Sequence, residues 1–114
     1  MSKSQRDKGA RFEREIVNRL REKGIEAERV PLSGASGGSY VGDVVIEGEK
    51  AELKVRKDGS GFTLLYRWKG DNTYLIVKTD RKEPLVIMEM SQYEKIKEKS
   101  HYDKAAYAFF GQRT

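Results

Sequence analysis

The segment from about Arg6 to Lys23 carries an apolar stripe with an acid set in it. At about 100° per residue, Phe12, Ile16, Val17 and Leu20 fall on one face of a helix, and Glu13 falls among them. Arg11, Arg14, Glu15, Asn18 and Glu22 point elsewhere. A helix with such a stripe has to bury it against another element, so the chain must build a core around it. A carboxylate on the packed side is costly unless it is paired, protonated or bound to a cation. Two readings of Glu13 follow: an ion pair at the core edge, or an acid kept for chemistry. Ser4 is placed to cap this helix, and Gly24 to end it.

The rest of the chain alternates short strands with turns. Ile25 to Val30 reads as a strand closed by Pro31, and Ser33 to Ser39 as a Gly/Ser loop. Val41 to Glu47 and Ala51 to Arg56 read as two strands of a hairpin turning at Gly48. By the two-residue period, Glu52, Lys54 and Arg56 share one face of the second strand, and Ala51, Leu53 and Val55 the other. Asp58 to Gly61 is a turn, Phe62 to Lys69 a short aromatic and basic helix, and Thr73 to Lys78 and Leu85 to Met90 two further strands. Ser91 is placed to cap a helix running to about Lys99, and the aromatic tail from Tyr102 to Phe110 has no assigned structure. The order predicts an α/β fold, a central mixed β-sheet flanked by helices. A length of 114 residues predicts one domain, residues 1–114.

Composition limits the function. There is no cysteine, which excludes disulfide stapling and thiolate zinc sites. No apolar run is long enough to span a bilayer, and the N-terminus lacks a signal-peptide stretch, so an intracellular, cytoplasmic protein is expected. The 23 Lys and Arg against 18 Asp and Glu leave a net charge of +5, a weak argument for a polyanionic partner. Position says more than the sum. Lys3, Arg6, Lys8, Arg11 and Arg14 crowd the N-terminus, and Arg56, Lys57, Arg67 and Lys69 follow the second hairpin strand.

Hydrolysis of a phosphodiester calls for a cation that polarises the phosphate and lowers the pKa of a bound water. Magnesium is held by a few carboxylate oxygens within a partly hydrated octahedron, and a lysine beside it can meet the developing charge. Asp43, Glu52 and Lys54 offer these groups on one hairpin, with Glu13 a fourth from the helix. Taken alone, a Glu52/Lys54 pair is more often an ordinary solvated strand face; with Asp43 and Glu13 beside it the chemical reading takes over.

The pattern of Asp43, then Glu52-Leu53-Lys54, after a helical Glu13 resembles the PD-(D/E)XK nuclease superfamily. The stretch Lys8-Gly9-Ala10-Arg11-Phe12-Glu13-Arg14-Glu15 and the Ser33-Gly34 loop resemble archaeal-type Holliday junction resolvases and their viral relatives, over roughly Arg6 to Lys57. The resemblance implies a restriction-endonuclease-like core and a Mg2+- or Mn2+-dependent endonuclease that resolves four-way DNA junctions as a homodimer. Asp43, Glu52 and the Leu53 carbonyl match the family's metal ligands, Lys54 its catalytic lysine, and Glu13 the helical acid that helps hold metal or water. Ser33 or Ser36 matches a serine near the scissile phosphate. Arg6, Lys8, Arg11, Arg56, Lys57, Arg67 and Lys69 are candidate phosphate contacts, which position a protein on DNA without reading sequence. The Gly/Ser loop is longer than the family pattern and lacks a basic residue, and the segment after Lys57 is shorter. Two rival functions are a superfamily nuclease acting on flaps, nicks or linear duplex, and a basic DNA-binding module without activity.

Overall fold

Gly24 ends the first helix, α1 (Lys3–Glu22), by a backbone device that only a few residue types permit. Its φ is +76°. The Gly24 N–H donates to the Arg21 carbonyl at 3.0 Å and the Ile25 N–H to the Leu20 carbonyl at 2.9 Å. These two bonds are a Schellman motif, and its usual apolar contact joins Leu20 to Ile25, at 0% and 1% exposure. An added Cβ at Gly24 meets nothing within 4 Å, so Gly24→Ala costs only the left-handed backbone. That cost is about 1 kcal/mol, and a urea titration is the check; an unchanged midpoint would mean the cap contributes nothing. Ser4 lies inside the first turn of α1 rather than at its cap.

In this computed structural model, residues 3–30 and 43–111 are described, with side chains through residue 106. The expected Gly/Ser loop, with Ser33 and Ser36, lies outside them.

Two compact units divide the chain, residues 1–56 and 57–114. In the first, α1 packs on a three-stranded antiparallel sheet of β1 (Ala27–Arg29), β2 (Val44–Ile46) and β3 (Glu49–Ala51), in the order β1-β2-β3. The core is Val17, Leu20, Ile25, Ala27 and Val44, all apolar and all buried. Phe12, Glu13 and Ile16 are half-buried beside it, as the stripe requires. The β2–β3 hairpin turns on Glu47 and Gly48, with φ of +48° and +84°. Two positive φ values in a two-residue loop make a type I′ turn, whose twist matches the strands it joins. The turn starts β3 at Glu49, earlier than the sequence suggests, and the ladder stops at Ala51. Glu52 to Arg56 therefore follow the sheet and lie outside its ladder.

The second unit holds α2 (Thr63–Lys69), β4 (Leu75–Val77), β5 (Leu85–Ile87) and α3 (Met90–Gly111). β4 and β5 pair antiparallel, Ile76 opposite Val86. The Ser60 N–H donates to Asp58 Oδ1 at 3.0 Å and Thr63 Oγ1 to the Gly59 carbonyl at 3.1 Å, which shapes the turn leading into α2. Helix α3 runs well past Lys99 and takes in the backbone of the aromatic tail. The predicted element order holds, and the α/β class with it. The pairing among the described residues is antiparallel throughout, in two separate small sheets.

Candidate active site

Asp43 stands one residue before β2, where the ladder becomes irregular. Val44 is the register partner of Ala51. The Asp43 N–H also reaches the Ala51 carbonyl, at 2.9 Å. Two successive residues thus face one, the arrangement of a β-bulge, which bends a strand and re-aims a side chain. Here the Asp43 carboxylate turns to the opposite strand, and its Oδ2 accepts the Leu53 N–H at 2.9 Å. One acid thereby holds the backbone between Glu52 and Lys54. Asp43→Ala strands that part-buried N–H and should cost about 1–2 kcal/mol. Asp43→Asn keeps a carbonyl acceptor and should cost clearly less. Unfolding curves for the two variants test this, and equal losses would count against the bond.

Glu52 and Lys54 behave as a two-residue period demands. They share a face, with Lys54 Nζ 3.2 Å from Glu52 Oε1, and both are about half exposed or more. An ion pair so wet adds little stability. The pair is therefore better placed to exchange its partners for a ligand than to hold the fold.

Glu13 has found a cation. Its Oε1 accepts from Arg29 Nε at 3.1 Å, with side-chain exposures of 21% and 31%. This is how the acid on the stripe is satisfied. Arg29 was not among the expected functional residues, yet its signal was present in the sequence. It lies two residues after Ala27, so on a strand both point to the same side, and Ala27 is buried.

Among the described residues, no three His, Asp or Glu side chains stand close enough together to hold one metal ion. Glu13, Asp43 and Glu52 are thus not gathered as a three-acid site. Asp43 and Glu52 adjoin the paired residues Val44 and Ala51, one on each hairpin strand. Two carboxylates with waters suffice for magnesium, which seldom has an all-protein cage. Hard oxygens, with no thiol in the chain, also suit magnesium or manganese better than softer metals. By its chemistry the donor set fits.

The basic residues divide. Arg6, Arg11, Arg56, Lys57 and Arg67 are exposed, and Lys8 is half-buried. Arg6 lies seven residues before Glu13, on nearly the same azimuth of α1. Lys69 departs from expectation. It is buried, and its ammonium donates to Glu89 Oε1 and to the Gly70 carbonyl, each at 3.1 Å. A cation held this way anchors the end of α2 and is not presented to phosphate.

An α/β chain with small antiparallel sheets, and with acids and a lysine at one hairpin, belongs to the restriction-endonuclease-like class. A family model described as archaeal Holliday junction resolvase matches residues 4–106, and the chain belongs to that family. It is thus a member of a family of nucleases that act on DNA. No curated protein and no solved structure matches the chain.

Proposed function

We propose that the protein is a metal-dependent endonuclease that resolves four-way DNA junctions, as a homodimer whose two sites cut opposed strands. The observation that carries this reading is the Asp43 to Leu53 hydrogen bond, which ties one acid to the segment after β3 that bears Glu52 and Lys54. Asp43 and Glu52 would hold Mg2+ or Mn2+ with the Leu53 carbonyl, and Glu13 would have to leave its pair with Arg29 to reach a water on the ion. When bound, the ion lowers the pKa of a water and neutralises phosphate charge.

The protein's own groups do the rest. Asp43, by holding the Leu53 N–H, fixes the direction in which residues 52–54 leave the sheet. Lys54, once parted from Glu52, would turn its ammonium to the phosphate, where it would orient the attacking water and offset developing charge. That water's oxygen bonds to phosphorus as it gives up a proton to solvent, and the bond to the departing sugar oxygen breaks as that oxygen takes a proton up. Arg6, Lys8, Arg11 and Arg56 hold flanking phosphates, and Lys57 and Arg67 are phosphate contacts of the second unit. The family model spans both compact units, which supports reading residues 1–114 as one nuclease domain. No helix among the described residues is long and apolar enough to cross a membrane. A DNA substrate implies work inside the cell, on DNA in the cytoplasm.

The test is a labelled synthetic junction incubated with and without magnesium, with the cuts mapped on all strands. Paired symmetric cuts near the branch, only with metal, are expected. Cutting of linear duplex at the same rate would make it a general nuclease. Salt-sensitive binding with no cleavage in magnesium or manganese would make it a binding module.

A further inference from the structure

Helix α2 presents to solvent side chains that a folded domain would ordinarily hide. Phe62, Leu65 and Lys69 form its inner side, half-buried or buried, and Lys69 is pinned to Glu89. The outer side carries Leu64 and Trp68, four residues apart and so on one face, with Arg67 beside them; Tyr66 lies about 160° round the helix from Trp68. Trp68 is 55% exposed and Tyr66 76%. Between Gly61 and Gly70 there is no acid. The helix is held at its inner side, and Trp68 stands beside a guanidinium that has no ion pair among the described residues.

We propose that this face of α2 binds an unstacked DNA base, with Trp68 as the stacking platform and Arg67 on the adjoining phosphate. The chemistry is that of single-strand binding surfaces, in which aromatic rings take base faces and cations follow the backbone. The absence of carboxylates on the helix gives the face the charge a polyanion needs. The inference deepens the junction reading and rests on it. A four-way junction offers unstacked bases at its branch, and a continuous duplex does not. Trp68 would thus be a specificity residue, favouring branched over linear DNA.

Trp68 is the single tryptophan of the chain, so its emission reports this face alone. The full-length protein, in EDTA so that nothing is cleaved, is titrated with a synthetic four-way junction, a single-stranded oligonucleotide and a flush-ended duplex at one salt concentration. Quenching is expected with the first two and little with the duplex. Trp68→Ala should weaken junction and single-strand binding by about 5- to 100-fold, the range for one lost base–aromatic stack. Duplex binding should change less than about twofold, and Trp68→Phe should restore most of the loss. Trp68→Leu, which keeps apolar bulk without a ring, provides a second reading should Trp68→Ala melt early. Unchanged emission at saturating junction would overturn the proposal, as would equal weakening for all three DNAs. A change of oligomeric state in Trp68→Ala would assign the face to protein instead. The outcomes separate from those of the nuclease reading. Quenching without cleavage in magnesium retains the face and removes the enzyme, whereas cleavage without quenching does the reverse.

Discussion

Glu52→Gln is expected to lose junction cleavage by about 10³-fold while binding the junction as tightly as the wild type, or more tightly. The loss follows from the several kcal/mol of charge stabilisation that a bound cation supplies, at about 1.4 kcal/mol per tenfold in rate. The binding follows from charge. A carboxylate without its cation repels phosphate, and an amide does not. Glu52 suits the experiment because it is half exposed and its one described ion pair is with the wetter Lys54. Its removal should therefore leave the fold intact. Asp43→Asn should lose cleavage to a similar degree, but it also touches the Leu53 N–H, so its melt has to be read beside its rate. Cleavage in magnesium and junction affinity, measured for both variants, settle the matter. Wild-type turnover in Glu52→Gln would remove this hairpin from the chemistry.

Leu20→Ala should produce the largest loss of stability of any single change in the first unit, about 3 kcal/mol. Leu20 is fully buried, closes the apolar stripe of α1 and meets Ile25 across the Schellman motif. Truncation removes its packing at the helix end and at the entry to β1, and leaves a cavity between rigid elements that cannot close around it. At about 4 °C per kcal/mol for a domain of this size, Tm should fall by roughly 10 °C. Urea unfolding of the variant tests this. A loss below about 1 kcal/mol would mean that the core is not built around this residue.

These two changes probe parts of the molecule that differ in how openly the sequence displays them. The stripe of α1, the glycine that ends it and the Glu47-Gly48 turn depend on neighbours within about five residues. Helical and strand periods report such features directly. The length of α3 does not follow from a period, since its tail mixes aromatic, small and charged residues without a clear stripe. The sequence reading accordingly stops at Lys99, where the helix does not.

The site divides in the same way. Glu52 and Lys54 lie two apart in the chain just past β3, and their shared side is legible from the two-residue period alone. The bulge at Asp43 and its bond to Leu53 are not, because they arise from one strand slipping against another ten residues away. Lys69 reads as one more surface cation until the fold brings Glu89, twenty residues on, to its ammonium. Glu13 is the sharpest case. Its place on a packed stripe made a partner necessary, and sequence could say that much, because desolvating a lone carboxylate is costly wherever it occurs. That the partner is Arg29, sixteen residues away on β1, was settled only when helix and sheet packed, since burial creates the demand locally but only tertiary contact can meet it.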